Sequence, residues 1–243
     1  MLVKDLAAVL VGYLLGSIPF AHIITRWRTG LNIREVGIGN VGARNVWHIV
    51  GGGWGFLVLL LDGAKGLAAV LLARFLDTSQ AGFLLSGPAA IVGHSFPLFL
   101  RFRGGKGMST TFGLLLGVLP YPSLISLVVL AVSQILLRDL DRSVYFGAAA
   151  AILMPLAFGY PWTMSLYVLG LFLLLWLRKL QDRGHQKRVW SASGWEDVTQ
   201  ISWYGPSGKG QRESSVWEEG GEEGEGVKAD TTPAKTPGQG AMQ

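Results

Sequence analysis

The sequence predicts an all-α membrane protein of about seven transmembrane helices, and three observations predict it. Half of the 243 residues are hydrophobic and only 15% are charged, whereas a soluble domain carries about a quarter charged residues to keep its surface wet. The mean hydropathy is positive, +0.39. Apolar runs near the ~20 residues needed to cross a hydrocarbon core recur down to about Leu177, with the basic residues set between them.

The first run is roughly Leu6–Ile24; it has no basic leader or small-residue cleavage site and reads as an anchor. The second covers about Trp54–Ala73 and is interrupted by Asp62 and Lys65. The third is about Ala81–Leu100. The stretch Thr110–Leu137 is too long for one ordinary span and holds Pro120 and Pro122. Proline removes a helix donor and clashes with the preceding turn, so the stretch divides there into two helices. A sixth run, about Val144–Phe158, is separated by Gly159-Tyr160-Pro161 from a seventh, about Trp162–Leu177. From 190 to 243 the chain is polar and rich in Gly and Glu. It has too little apolar surface to offset its ordering entropy, so a disordered tail is expected after a membrane domain of residues 1–189. Its tryptophans (Trp190, Trp195, Trp203, Trp217) fit an inert tail better than a docking segment.

Charge orients the bundle. Residues 1–189 hold 17 Lys and Arg against 7 Asp and Glu, and residues 190–243 hold 4 against 9. One set of connections carries Arg26, Arg28, Arg34 and Arg44, then Arg101, Arg103 and Lys106, then Arg138 and Arg142, then Arg178, Lys179 and Arg183. The opposite set carries Lys4 and Arg74. The positive-inside rule puts the first set in the cytoplasm, with the N-terminus outside and the C-terminus cytoplasmic. The basicity therefore reads as topology and not as nucleic-acid binding. With no cysteine, disulfides, thiolate nucleophiles and Cys-ligated zinc are excluded. His22, His48, His94 and His185 have no metal-ligand spacing.

Two cytoplasmic connections carry the chemistry. In Gly37-Ile38-Gly39-Asn40-Val41-Gly42-Ala43-Arg44-Asn45, glycines permit turns that expose successive amides, and two asparagines add donors. The reading stands evenly between an anion site and a plain turn. Arg101-Phe102-Arg103-Gly104-Gly105-Lys106-Gly107 combines cations with glycine amides, which suits a phosphate. It is not a Walker A loop, because Leu100 and Gly107 stand where that motif needs Gly and Ser/Thr, and ATP is not implied. His94, at the end of the third run, suits a general base or phosphate donor, or a packing role. Asp62 and Lys65 lie on one helix face and are either functional or a self-neutralised packing pair. Gly12/Gly16 and Gly113/Gly117 read as helix-packing faces.

Gly16-Ser17-Ile18-Pro19, the loop Gly39-Asn40-x-Gly42-x-x-Asn45, Asp62-x-x-Lys65-Gly66 and Gly93-His94-x-Phe96-Pro97 followed by Gly104-Gly105-Lys106-Gly107 stand in the same order in a known family. Over roughly residues 8–180 the chain resembles the bacterial acyl-phosphate-dependent glycerol-3-phosphate acyltransferases, the PlsY family. Asp141-Arg142-Ser143-Val144 resembles that family's start of the sixth span. The resemblance implies seven spans in the cell (inner) membrane and an active site on the cytoplasmic face. It also implies acyl transfer from acyl phosphate to the 1-hydroxyl of glycerol 3-phosphate, giving lysophosphatidic acid and phosphate, with no metal or organic cofactor. On that resemblance Lys106, His94 and Asn40 are the expected catalytic residues. Gly39, Gly42, Arg44, Asn45, Arg103, Gly104, Gly105, Gly107 and Arg142 are expected to bind substrate. Where the family usually has Ser, Thr and Arg in the first loop, this chain has Ile38, Arg44 and His48. The family's His-x-x-Asn-Ile-x-Arg-Leu segment after the last span is replaced by Arg178–Arg183. Two rival readings are a catalytically silent paralogue that binds a lipid phosphate or a partner protein, and a small anion or lipid transporter.

Overall fold

The computed structural model describes residues 1–192, and all regular elements among them are helical. The expected tail lies outside the described residues, except that residues 190–192 continue the last helix.

The first apolar run is one span, Leu2–Thr29, as expected, but it is built of two helices, α1 (Leu2–Ser17) and α2 (Phe20–Thr29). Pro19 accounts for the break. It lacks an N–H and disfavours helical geometry at the residue before it, and Ile18 turns extended at φ −65°, ψ 115°. The Ile18 carbonyl, released from the helix ladder, accepts a bond from Lys65 Nζ at 3.1 Å. After a loop come α3 (Ala43–Ile49), α4 (Gly52–Phe75) and α5 (Gln80–Ser95). Ser79 caps α5 by accepting from the Gly82 amide. The Asp5 carboxylate accepts from the Ser79 amide at 2.8 Å and its hydroxyl at 2.7 Å, which ties the start of α1 to the α4–α5 turn.

The third span runs to Leu100 as expected, but helix α5 itself stops at Ser95, because Phe96 leaves helical geometry and Pro97 follows, and a single 3-10 turn, Leu98–Leu100, completes it. The Thr110–Leu137 run divides at Pro120 as expected, into α6 (Met108–Val118) and α7 (Pro120–Leu137). Then α8 (Leu140–Ala157) and α9 (Trp162–Ala192) complete the described chain. The expected seventh span was to end at Leu177. In fact α9 runs 31 residues, about 46 Å at 1.5 Å per residue, and so outlasts a hydrocarbon core of ~30 Å.

Among the described residues, six helical stretches are long and apolar enough to cross a membrane. The remaining pass is α6, whose 11 residues span only about 16 Å. It leaves the end of the bundle where Lys106 meets α9, and α7 returns to that same end before α8 begins. The polarity of the bundle is that of a lipid-embedded protein. Leu6 and Leu10 of α1, Val128 and Ile135 of α7, and Leu169 and Leu173 of α9 are exposed, while Asp62 and Lys65 are 2% and 5% exposed.

Glycines let the backbones touch. A Cβ on Gly16 would stand 2.1 Å from the Ala90 carbonyl oxygen, and one on Gly113 1.8 Å from that of Gly63. These contacts join α1 to α5 and α4 to α6, as the small-residue spacing predicts.

Candidate active site

Four basic connections meet at one end of the bundle. Arg34 Nη1 donates to the Leu100 carbonyl at 3.3 Å, and Lys179 Nζ pairs with Asp141 at 3.0 Å. Arg44 Nη1 stands 4.0 Å from Asp141, and Lys106 Nζ donates to Gln186 Oε1 at 3.2 Å. Below this end opens a cleft of about 720 Å³ between α4, α6 and α7. Its walls are apolar, with Leu60 and Leu67 from α4, Phe112 and Leu116 from α6, and Leu124 and Leu127 from α7. Its polar end carries Asn40, Arg44, His94, Lys106, Asp141 and Lys179.

The first loop is built around Asn45. This side chain is fully buried. Its Oδ1 accepts from the Ile38 amide at 3.1 Å, and its Nδ2 donates to the carbonyls of Ile33, Val36 and Asn40 at 2.9, 3.1 and 3.1 Å. Asn45, expected to bind substrate, is spent on holding its own loop. Asn40 lines the cleft instead, and its Oδ1 is buried with no hydrogen-bond partner among the described residues. That oxygen can accept from a hydroxyl.

The second loop lies along the end of α5. Gly104 N–H donates to the Ser95 carbonyl at 3.0 Å and Gly105 N–H to that of His94 at 3.1 Å. Those two amides were expected to hold a phosphate, but they are consumed in seating the loop. The close fit explains the glycines: a Cβ on Gly105 would stand 2.2 Å from the Val41 carbonyl oxygen and 2.3 Å from His94 Nε2. Free donors lie one step further on. Gly107, at φ 84°, turns the chain into α6, whose first amide-to-carbonyl bond is Thr111 N to Gly107 O. The amides of Met108, Ser109 and Thr110 precede that bond, and the helix dipole makes this end favourable for an anion.

The remaining expected ligands divide the same way. Gly42, Arg44, Lys106 and Gly107 line the cleft. Gly39 does not; its N–H bonds the Val36 carbonyl and its Cα faces Val189. Arg103 is exposed and is not part of the lining. Arg142 turns outward onto Asp139, Nε to Oδ2 at 3.3 Å, where it is pinned by its neighbour in the first turn of α8.

The electrostatics favour an anion. Burial pulls the Lys106 ammonium down to about 8, with Asp182 and Asp141 supporting its charge and Lys179 and Arg44 opposing it. His48 is pulled down to about 4, chiefly by burial and then by Arg44 one turn earlier. It is neutral at physiological pH, so it does not supply the cation that the family's arginine would. Beneath the loops, Asp62 pairs with Lys65 at 2.8 Å, and His94 Nδ1 lies 3.6 Å from the same carboxylate oxygen. This arrangement turns His94 Nε2 toward Gly105. Asp62 thus stands beside His94 as well as Lys65.

Sequence reasoning missed Asp141 and Lys179 as cleft residues, and Arg178, Asp182 and Gln186 as the side chains beside Lys106. The only sequence signal for the last three is their four-residue spacing, which becomes meaningful once α9 is known to continue past the membrane.

An apolar groove capped by cations and by helix amides unpaired among the described residues is what an integral membrane protein acting on amphipathic anions would need. Residues 6–188 match the family described as glycerol-3-phosphate acyltransferase, and the chain belongs to that family. A Desulforudis audaxviator glycerol-3-phosphate acyltransferase is 42% identical over 177 residues, covering 70% of this chain and 86% of that protein. Glycerol-3-phosphate acyltransferase 5 of Dehalococcoides mccartyi is 37% identical over 180 residues, covering 70% and 76%. The crystal structure of PlsY, an integral membrane glycerol 3-phosphate acyltransferase, in its glycerol 3-phosphate form superimposes with a TM-score of 0.67 at 31% identity. It covers 77% of this chain and 92% of that one. The same enzyme's lysophosphatidic acid form gives 0.64 at 29% identity. The protein is thus a membrane acyltransferase of phospholipid biosynthesis with glycerol-3-phosphate acyltransferase activity, and neither rival reading finds support.

Proposed function

We propose that the acyl donor is an acyl phosphate and that the acyl group goes to the 1-hydroxyl of glycerol 3-phosphate, giving lysophosphatidic acid and inorganic phosphate. The observation that carries this is the join between the apolar groove and the Lys106 end of the cleft within one continuous space. A lipid-soluble chain fits the first part and a phosphate the second. The Lys106 ammonium and the α6 amides hold the donor phosphate and take up charge as it departs. Arg44 faces the acceptor's phosphate, and Asn40 Oδ1 accepts from its hydroxyl. Attack forms the new carbon–oxygen ester bond and breaks the bond between the acyl carbon and the phosphate oxygen. The hydroxyl proton leaves with the phosphate, and His94, aligned by Asp62, stands at the wall where that transfer occurs.

The same reading sets the protein in the cell (inner) membrane with this end cytoplasmic and the N-terminus outside, because the Lys- and Arg-rich connections gather here. The test is phosphate release by purified protein from a long-chain acyl phosphate, with and without glycerol 3-phosphate. Release is expected to depend on the acceptor and to vanish in Lys106→Ala. Full activity in that variant removes the site assignment.

A further inference from the structure

The cytoplasmic end of α9 approaches the Gly104–Lys106 segment with three side chains spaced four apart. Arg178 Nη2 donates to the Gly104 carbonyl at 3.2 Å, and its guanidinium lies over the Phe96 ring, 5.1 Å from the centroid. Arg178 Nη1 stands 3.9 Å from Asp182 Oδ1, and Asp182 Oδ2 accepts from Gln186 Nε2 at 2.7 Å. Gln186 Oε1 in turn accepts from Lys106 Nζ at 3.2 Å. The circuit starts on the backbone of Gly104 and ends on the side chain of Lys106, two residues on. On its other side the same segment is fixed by the Gly104 and Gly105 amides to α5. The backbone is thus located by α5, while the lysine side chain is located by α9.

We infer that Arg178, Asp182 and Gln186 form a positioning clamp on α9 that aims the Lys106 ammonium at the substrate phosphate. This rests on the proposed role of Lys106 as the phosphate-binding cation. The chemistry of the chain of contacts favours aiming over neutralising. An ammonium has three N–H donors, so the bond to Gln186 leaves two for phosphate oxygens. The group touching Lys106 is a neutral amide; a carboxylate at that point would compete with the phosphate for the cation. The carboxylate sits one link back, where it fixes the amide's orientation and where Arg178 faces it. Arg178, Asp182 and Gln186 are positioning residues in this scheme, since none of them touches the reacting atoms.

The full-length protein tests this with the phosphate-release assay, using Gln186→Leu, Asp182→Asn, Lys106→Ala and, as a control on the exposed side of α9, Lys187→Ala. Loss of aim on a catalytic cation is expected to cost about ten- to a hundredfold in kcat/KM for the acyl phosphate. Gln186→Leu should show that loss mainly in kcat, with KM for glycerol 3-phosphate little changed, and Lys187→Ala should match the parent. Asp182→Asn, which keeps the side chain's shape, should also move the alkaline limb of kcat/KM to lower pH. The charges facing Lys106 are Asp182 and Lys179 of α9, Asp141 of α8 and Arg44 of α3. Removing one of the two carboxylates leaves the two cations less opposed. Thermal unfolding midpoints identify variants that keep the fold, and Asp182→Asn carries the test if Gln186→Leu does not. Parental kcat/KM and an unmoved alkaline limb beside an inactive Lys106→Ala overturn the clamp and leave the site reading standing. An active Lys106→Ala overturns both.

Discussion

Replacing Asp62 with Ala tests the least forgiving contact in the bundle. Asp62 and Lys65 are 2% and 5% exposed and 2.8 Å apart. At an effective dielectric of about 20 their attraction is roughly 6 kcal/mol. Withdrawing each ion from water costs several kcal/mol, so the pair as a whole contributes little net stability. Breaking it differs, because Lys65 then keeps its burial cost with the Ile18 carbonyl and the face of Phe20 in place of a counter-ion. Asp62→Ala is expected to destabilise by about 3–5 kcal/mol, a large share of the ~5–15 kcal/mol that holds a typical domain together. The double variant Asp62→Leu/Lys65→Met removes both charges while keeping volume, and should recover most of that loss.

Denaturant titration in mixed micelles, followed by tryptophan fluorescence, reads the stability of both variants. The double variant also separates packing from chemistry. His94 loses the carboxylate 3.6 Å from its Nδ1, so kcat should remain about tenfold or more below the parent even with the fold restored. A loss under about 1 kcal/mol in Asp62→Ala, or no recovery in the double variant, would refute the account of Asp62 as a buried counter-ion. Full kcat in a folded double variant would remove its role in orienting His94.

Three other outcomes follow from the cleft and its loops. In the proposed reading Lys106 binds phosphate as a cation, and its pKa of about 8 means the charge is present at lower pH and lost as pH rises through that value. The kcat/KM for the donor should therefore fall above about pH 8; Lys106→Arg, if active, should abolish that limb, because arginine stays charged. His48, at about 4, should add no inflection between pH 5 and 8, and a His48→Phe profile read beside the parent's checks this. Ile38 lines the cleft and its amide is already held by Asn45, so Ile38→Ser changes only what the side chain offers. One added hydrogen bond, worth about 0.5–1.5 kcal/mol, should lower KM for glycerol 3-phosphate by about three- to tenfold; initial-rate kinetics with an unchanged KM would deny that this side chain faces the acceptor.

The helices were legible in the sequence because lipid imposes a length and a polarity that composition reveals directly. The break at Pro120 was legible for the same reason. The break at Pro19 is equally encoded, but it is masked by an apolar run that otherwise reads as continuous. The loops were legible in type and illegible in detail. Glycine richness at Gly104 and Gly105 signals close backbone approach, but it does not say whether the amides face a ligand or another strand of chain. Here they face Ser95 and His94, and the donors that remain open belong to Met108–Thr110, which read as the start of a span. Asn45 misled for a related reason. A carboxamide in a glycine loop can bind a ligand or tie the loop, and only its partners at Ile33, Val36, Ile38 and Asn40 decide.

The shortness of α6 is what joins the two halves of the site. Its N-terminal amides sit at the polar end of the cleft, and Phe112 and Leu116, one and two turns beyond Met108, wall the groove. At 1.5 Å per residue the step from Met108 to Phe112 is about 6 Å along the axis. One rigid element thus fixes the distance between the anion-binding end and the start of the apolar wall. In the proposed reading, a phosphate held at the head of α6 lays the attached chain along the turns that follow. The acyl carbon, which lies between phosphate and chain, then falls beside Lys106, His94 and Asn40, where an acceptor entering from the polar end can reach it. A full-length crossing helix in the same register would still begin the groove, but it would extend past the Pro120 turn and fill the space that now opens between α4, α6 and α7.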